Sequence, residues 1–323
     1  MKGIKNTEPN KTKVVVDIIE DDLVALEPSL LNVLLKDRTT GKNITWATDD
    51  YISLGDTYAP MHEIKPFMIT GKRNKVIQPR VKKSQSNKDS RTKEKAEVFT
   101  PSWICNEQNN RIDEGWFGRI DVFNKSTKNG WQTVSDKIEF PNTKGKNWTD
   151  YVDARRIEMA CGEAPYLVSR YDTVSGKKID VIDRIGLLDR KMRVVNENTN
   201  TLEDWWKWTK RAFQSTYGYE YQGDNLLLAR ENLIYTFIEN FETKFGTNPG
   251  QDLLKKIAYI VSWNLWQMDG TTCTVPECEV HAYMQQLELF GVPKTNCSIQ
   301  ACCQIKDWRR KKIVKYVDLL KKD

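Results

Sequence analysis

Histidine is the scarcest reactive residue in this 323-residue chain: only His62 and His281 occur, and neither sits in a recognisable nucleophile setting. A hydrolytic triad is therefore disfavoured. The sequence contains no Gly-x4-Gly-Lys-Ser/Thr loop, so a nucleotide held by that phosphate cradle is excluded as well. No stretch approaches the roughly 20 uninterrupted apolar residues that cross a bilayer. The opening residues, Met1-Lys2-Gly3-Ile4-Lys5-Asn6, lack the apolar run of a secretory signal. These absences place the expected location in the cytoplasm, with no membrane partner.

What is present is a 39% apolar composition, enough to supply a real core for one large domain or two smaller ones. The formal charge is +6, yet residues 71–96 alone hold ten Lys/Arg (Lys72, Arg73, Lys75, Arg80, Lys82, Lys83, Lys88, Arg91, Lys93 and Lys95) against Asp89 and Glu94. Such a run reads as a basic linker or a nucleic-acid arm, the latter acting through counterion release. Seven cysteines without an export signal point to free thiols or metal ligands rather than disulfides. Five of them fall in the last third. Cys273, Cys278, His281, Cys297 and Cys302 form a candidate structural zinc set, and buried reduced cysteine is the other reading.

Residues 1–70 read as a small α+β segment, with a strand over 13–19, a helix over 28–36, a turn at 39–43 and a further extended piece at Ile44-Thr45-Trp46. The basic stretch at 71–96 has almost no apolar periodicity. From residue 97 to 270, strand-like runs alternate with amphipathic helices, which argues for an α/β core with a largely parallel sheet. The spacing predicts helices over 203–215, 224–245 and 250–262. Leu226 to Tyr235 is apolar on most faces, so that helix is expected to pack against the sheet. Residues 271–323 form a Cys-rich C-terminal region.

The site-bearing pattern is Arg156-Ile157-Glu158-Met159-Ala160-Cys161-Gly162-Glu163-Ala164. A turn that brings backbone against a nucleoside needs small residues after a strand and a helix beyond it, and Ala160, Gly162 and Ala164 meet the first demand. Upstream lies Glu97-Val98-Phe99-Thr100-Pro101 before a helix starting at Ser102. Downstream lie Tyr217-Gly218-Tyr219-Glu220, then Leu228-Ala229-Arg230-Glu231-Asn232, then Trp266-Gln267-Met268-Asp269. In this order the motifs, over roughly residues 95–270, resemble the gamma-type adenine-specific DNA methyltransferases. The whole chain is similar to the small bacterial proteins labelled restriction endonuclease subunit M.

The resemblance implies a Rossmann-like core that binds S-adenosylmethionine (SAM). Thr100 and Pro101 would lie near the methionine end, and Glu158, Ala160, Cys161 and Gly162 would form the turn beneath the cofactor. Glu220 would accept hydrogen bonds from the ribose hydroxyls, and Asp269 would contact the adenine. DNA would be the substrate, with a specificity or nuclease subunit as a further partner. The family's Asn/Asp-Pro-Pro-Tyr/Phe tetrapeptide, which holds a flipped base, does not occur in this chain. Asp307 and Trp308 are the one positionally reasonable substitute.

A catalytically inactive relative that binds DNA or a partner, in phage defence or on a mobile element, is the rival reading. A metal-dependent nuclease using Asp180, Asp183 or Asp189 is the third. Trp205, Trp206 and Trp208 fit either a core or a stacking platform for bases.

Overall fold

The computed structural model describes residues 20–84, 88, 91–93, 100–276 and 302–320. The strand expected over 13–19 lies outside these. Two short helices come first, α1 (Glu20–Leu26) and α2 (Leu30–Leu35), the second matching the helix expected over 28–36. Residues 36–84 follow as loops tied by single bridges, Lys36 to Asn43 and Thr45 to Glu63, so no strand forms between 20 and 84. The reason is visible at Thr45. Its N–H donates to Gln267 Oε1 at 2.9 Å and its carbonyl accepts from Gln267 Nε2 at 2.9 Å, so a side-chain amide takes the place of a neighbouring strand.

Helix α3 (Ser102–Phe117) ends at Gly118, whose φ of 73° is the left-handed cap that favours glycine. A hairpin of β1 (Asn124–Thr127) and β2 (Gly130–Thr133) packs beside it, followed by α4 (Trp148–Asp153). Asn147 caps α4 by accepting from Thr149 and Asp150, while the Asp150 side chain accepts from the Asn147 N–H. The core sheet then begins with β3 (Arg156–Met159). It continues through α5 (Leu187–Asn198), α6 (Leu202–Gln214), β4 (Thr216–Glu220), α7 (Gly223–Phe245), α8 (Gln251–Asn264) and β5 (Leu265–Gln267). The helices agree with those expected from spacing to within two residues at each end.

The three strands pair in the order β3-β4-β5 and all run parallel, with Ile157 opposite Tyr217 and Tyr219 opposite Trp266. Helix α7 is buried from Gly223 through Ile234: its Leu, Ala and Ile residues pack in the core, and Asp224, Arg230 and Asn232 are carried inward with partners. Each fully buried Leu or Phe there stabilises the fold by about 1.5–3 kcal/mol. Trp205 is wholly buried between α6 and α7, with its ring centroid 5.4 Å from that of Phe241. Leu31, Leu34, Trp46 and Ile64 share this core, so the N-terminal segment adds to it and has no separate one.

Polar groups are carried inward by pairing. Arg190 meets Asp113, whose other oxygen accepts from Tyr151 Oη at 2.8 Å. Lys191 donates to the carbonyl of Ala154 and to Ser215 Oγ at 2.6 and 2.7 Å, joining the N-terminal ends of β3 and β4.

The opposite face of the sheet carries Tyr217, Tyr219 and Trp266, and an antiparallel hairpin of β6 (Gln304–Asp307) and β7 (Lys312–Lys315) covers part of it before α9 (Val317–Leu320). The architecture is mixed α/β with a parallel three-stranded sheet. No helix among the described residues is long and apolar enough to cross a membrane.

Candidate functional site

The C-terminal ends of β3 and β4 converge on the turn that the sequence singled out. Ala160, Gly162 and Ala164 have φ of 48°, 53° and 63°, so every second residue of the turn is left-handed. Two of the three carry a Cβ, which costs about 1–2 kcal/mol each in that conformation. Such strain is held only where the surroundings over-determine it. Here the Cys161 N–H donates to Tyr219 O at 2.9 Å, and the Ala164 N–H to Cys161 O at 2.7 Å. Gly218 leaves the room on β4 against which the Cys161 sulfur packs; an added Cβ would lie 3.4 Å from it. Burial, with Glu158 and Glu220 nearby, pushes the Cys161 thiol well up, so it is a packing residue and not a nucleophile.

Two buried carboxylates flank the turn. Glu158 accepts the N–H groups of Tyr166 and Leu167 at 3.3 and 3.1 Å, and burial raises its pKa well above the ordinary value. Glu220 accepts from Gly162 N–H at 2.8 Å and Gln222 N–H at 3.2 Å. Burial pushes its pKa from 4.5 up to about 7, against the lowering effect of those donors. A carboxylate offers about four acceptor positions, so Glu220 retains capacity beyond these backbone bonds.

The expected helix immediately after this turn is absent. Turns occupy residues 162–186 and the next α-helix is α5, starting at Leu187. Within that excursion the N–H groups of Tyr166 and Leu167 are taken up by the Glu158 carboxylate. The turn is instead fixed to α7 by Asn232, which donates to Glu163 O at 3.1 Å. Arg230, one residue pair earlier, donates to Leu265 O at 2.6 Å and to Lys36 O at 3.1 Å, a structural clamp between β5 and the N-terminal segment.

Thr100 and Pro101 lead into α3 beside the loop that follows the turn, where Thr100 O accepts from Thr173 Oγ1 at 3.1 Å. Pro101 precedes α3, whose first N–H, from Ser102, donates to Asp172 at 2.8 Å. Residues 94–99 lie outside the described residues. Asp269 follows β5 at the same end of the sheet, where its Oδ1 accepts from the N–H groups of Thr271 and Thr272 and organises the Cys273 turn.

The structure does not bring Asp307 and Trp308 to the turn. Asp307 pairs with Arg155 at 3.3 Å, and Trp308 Nε1 donates to Asn264 Oδ1 at 2.6 Å. Arg155 precedes β3 and Asn264 precedes β5, so this pair sits at the N-terminal end of the sheet. At about 3.3 Å per residue, the strand length separates it from the turn at residue 160.

The basic stretch is partly drawn into the fold. Arg91 is buried with Nη1 2.9 Å from Asp224 Oδ2, and Lys83 reaches the same oxygen at 3.1 Å. Tyr51 Oη donates to it at 2.7 Å, and burial of Asp224 is overcome by these partners, holding its pKa well below the carboxylate range. This cluster at the start of α7 was not anticipated from sequence; its one signal was an Asp in the first turn of an apolar helix.

Of the zinc candidates, Cys273 and Cys302 are brought together: Thr274 bridges Cys302, and the Cys303 N–H donates to Cys273 O at 3.0 Å. Cys278, His281 and Cys297 lie outside the described residues. Among the described residues no three His, Cys, Asp or Glu side chains are grouped to hold a metal ion. That also bears on the nuclease candidates. Asp189 instead caps α5 by accepting from Gly186 and Ser169 N–H, and Asp183 accepts from Thr133 Oγ1 at 2.7 Å. Asp180 and Asp183 line an open cleft of about 650 Å³ between α3, β2 and the 172–183 loop. Trp205 is core rather than a stacking platform, while Trp206 and Trp208 are half-buried against the same core.

Comparison with protein families, curated proteins and solved structures gives no match to this chain.

Proposed function

We propose that this chain is the SAM-binding core of an adenine-directed DNA methyltransferase or of a modification subunit that works with a specificity or nuclease subunit. The observation that carries this reading is the bond between Glu220 and Gly162. A buried carboxylate at the end of the second parallel strand is hydrogen-bonded to the strained, small-residue turn after the first. That is the place where open α/β sheets take their ligands, outside the C-terminal strand ends, and where an acid can meet ribose hydroxyls. In this reading the parallel order β3-β4-β5 is taken as one half of a Rossmann-like sheet.

In this reading Glu220 accepts the ribose hydroxyls, the backbone of 160–162 approaches the cofactor closely, and Thr100 and Pro101 border its methionine end. Asp269, already turned toward its own loop, borders the adenine. SAM, when bound, supplies the sulfonium methyl group. The chain's contribution is orientation of that methyl toward an amino nitrogen.

One observation favours the second reading, a relative that binds DNA or a partner without methylating. Beside β3, where a doubly wound sheet places its fourth strand, no strand pairs among the described residues, and Asp307 and Trp308 lie at the wrong end.

Equilibrium dialysis with radiolabelled SAM separates the outcomes. Binding that falls roughly 10- to 100-fold in Glu220→Gln supports the core assignment, since each bond to a charged group contributes about 1.5–3 kcal/mol. No binding by the unaltered protein sinks it. Binding without methyl transfer to any adenine-containing duplex, alone or with the product of the neighbouring gene, selects the second reading.

A further inference from the structure

The β6–β7 hairpin concentrates charge on a regular two-stranded ribbon. Residues 304–315 hold Lys306, Arg309, Arg310, Lys311, Lys312 and Lys315 against one acid, Asp307, so twelve residues carry +5 where the whole chain carries +6. Four consecutive cations are exposed, Arg309, Arg310 and Lys311 in the turn and Lys312 at the start of β7. Asp307 shapes that turn from behind by accepting the N–H groups of Arg309 and Arg310, both at 3.0 Å. Arg309 is tied to Asp153 at 2.7 Å, which fixes the ribbon to α4 and leaves Arg310, Lys311 and Lys312 projecting.

The ribbon's outer face continues the pattern. Pairing sets Lys306 opposite Ile313 and Gln304 opposite Lys315. The Lys306 ammonium lies 4.5 Å from the Trp308 ring centroid and 4.9 Å from that of Tyr259, and Arg38 covers Tyr259 at 4.8 Å. Consecutive cations at the tip of a narrow two-stranded ribbon suit a charged groove better than a flat headgroup plane. The B-form major groove, about 12 Å wide, admits such a ribbon, whereas the A-form major groove is too narrow. In the other basic stretch Lys83 and Arg91 pair with Asp224, while Lys72, Arg73, Lys75 and Lys82 are exposed on loops rather than on a ribbon.

We propose that the β6–β7 hairpin is a DNA-docking ribbon, with Arg310, Lys311 and Lys312 on the backbone phosphates. Its tip stands at the opposite end of the sheet from the 160–164 turn, so it anchors duplex without presenting a base to that turn, and the proposal does not rest on the methyltransferase reading.

The test uses the full chain and anisotropy of a short fluorescein-labelled DNA duplex from about 50 to 200 mM KCl. Arg310→Gln, Lys311→Gln and Lys312→Gln are combined, with thermal melting by circular dichroism to confirm the fold. Expected is at least a tenfold loss at the low salt, and a log affinity against log salt slope shallower by about 2–3, since each phosphate contact contributes about 0.9. Lys72→Gln, Arg73→Gln and Lys75→Gln together leave the slope near that of the unaltered protein. Should the hairpin triple variant fail to fold, Lys311→Glu alone is expected to weaken binding and make the slope shallower by about 1. The proposal is overturned by an unchanged slope in the hairpin variant, by loss in the Lys72 triple variant instead, or by tighter binding to phosphatidylserine vesicles or RNA duplex than to DNA.

Discussion

Replacing Glu220 by Gln tests the electrostatics of the turn without reference to any ligand. Burial lifts this carboxyl from 4.5 to about 7, so the folded protein binds its proton more tightly than the unfolded chain does. The stability that the protonated form contributes is present in full below pH 4.5 and is lost as the pH rises through about 7. A shift of that size corresponds to roughly 3 kcal/mol at alkaline pH, at about 1.4 kcal/mol per unit. Glutamine removes this dependence but introduces a cost of its own. Its amide oxygen serves either the Gly162 N–H or the Gln222 N–H, and its NH2 confronts the other, for about 1–3 kcal/mol. That cost does not vary with pH. The informative quantity is therefore the difference in unfolding free energy between the variant and the parent, measured by urea denaturation at steps from pH 4.5 to 8.5. Expected is a rise of roughly 3 kcal/mol in favour of the variant across that window. A difference that stays flat with pH would refute the assignment of Glu220 as a buried, strained carboxylate.

Three other outcomes follow from packing and pairing. Asp113→Ala leaves Arg190 buried without its carboxylate and is expected to cost about 3–5 kcal/mol in chemical denaturation, with Asp113→Asn milder. Asp224 carries a depressed pKa, so the stability it contributes is present above its ordinary value of 3.8 and is lost as the pH falls below it. Asp224→Asn should then flatten the acid limb of an unfolding titration while weakening the fold at neutral pH; a limb unchanged in steepness contradicts the pairing. Gly186→Ala and Gly223→Ala each drive a Cβ into backbone, 2.3 Å from Leu167 O and 1.9 Å from Thr45 O. Thermal melts should show losses of 1–3 kcal/mol or more for both, and little for Gly250→Ala, which meets open space.

The long helices were legible because their apolar spacing is decided locally: α6, α7 and α8 end where Ser215, Gly246 and Leu265 break the pattern. The turn at Ala160 to Ala164 was legible from its small residues, whereas Glu220 was named by the family resemblance alone. What the sequence hid depended on distant partners. Thr45 was read as part of an extended run, yet its backbone groups are claimed by Gln267, which no local pattern announces. Asp307 and Trp308 were placed near the turn by their order in the chain, whereas order says nothing about which end of a sheet a hairpin occupies. The basic stretch was read by composition, which cannot tell a buried Arg91 from an exposed Lys72.

The amide of Gln267 that holds Thr45 also sets a timetable for synthesis. The two residues are 222 positions apart, and at about 5–20 residues per second a nascent chain spans that distance in roughly 10–45 s. Over that interval α2 exists without the strand ends that seat the segment after it, and the leucines of α2 have only their own neighbours for cover. A chaperone that engages this protein on the ribosome should therefore be found on residues 30–46, and should be released as β5 emerges.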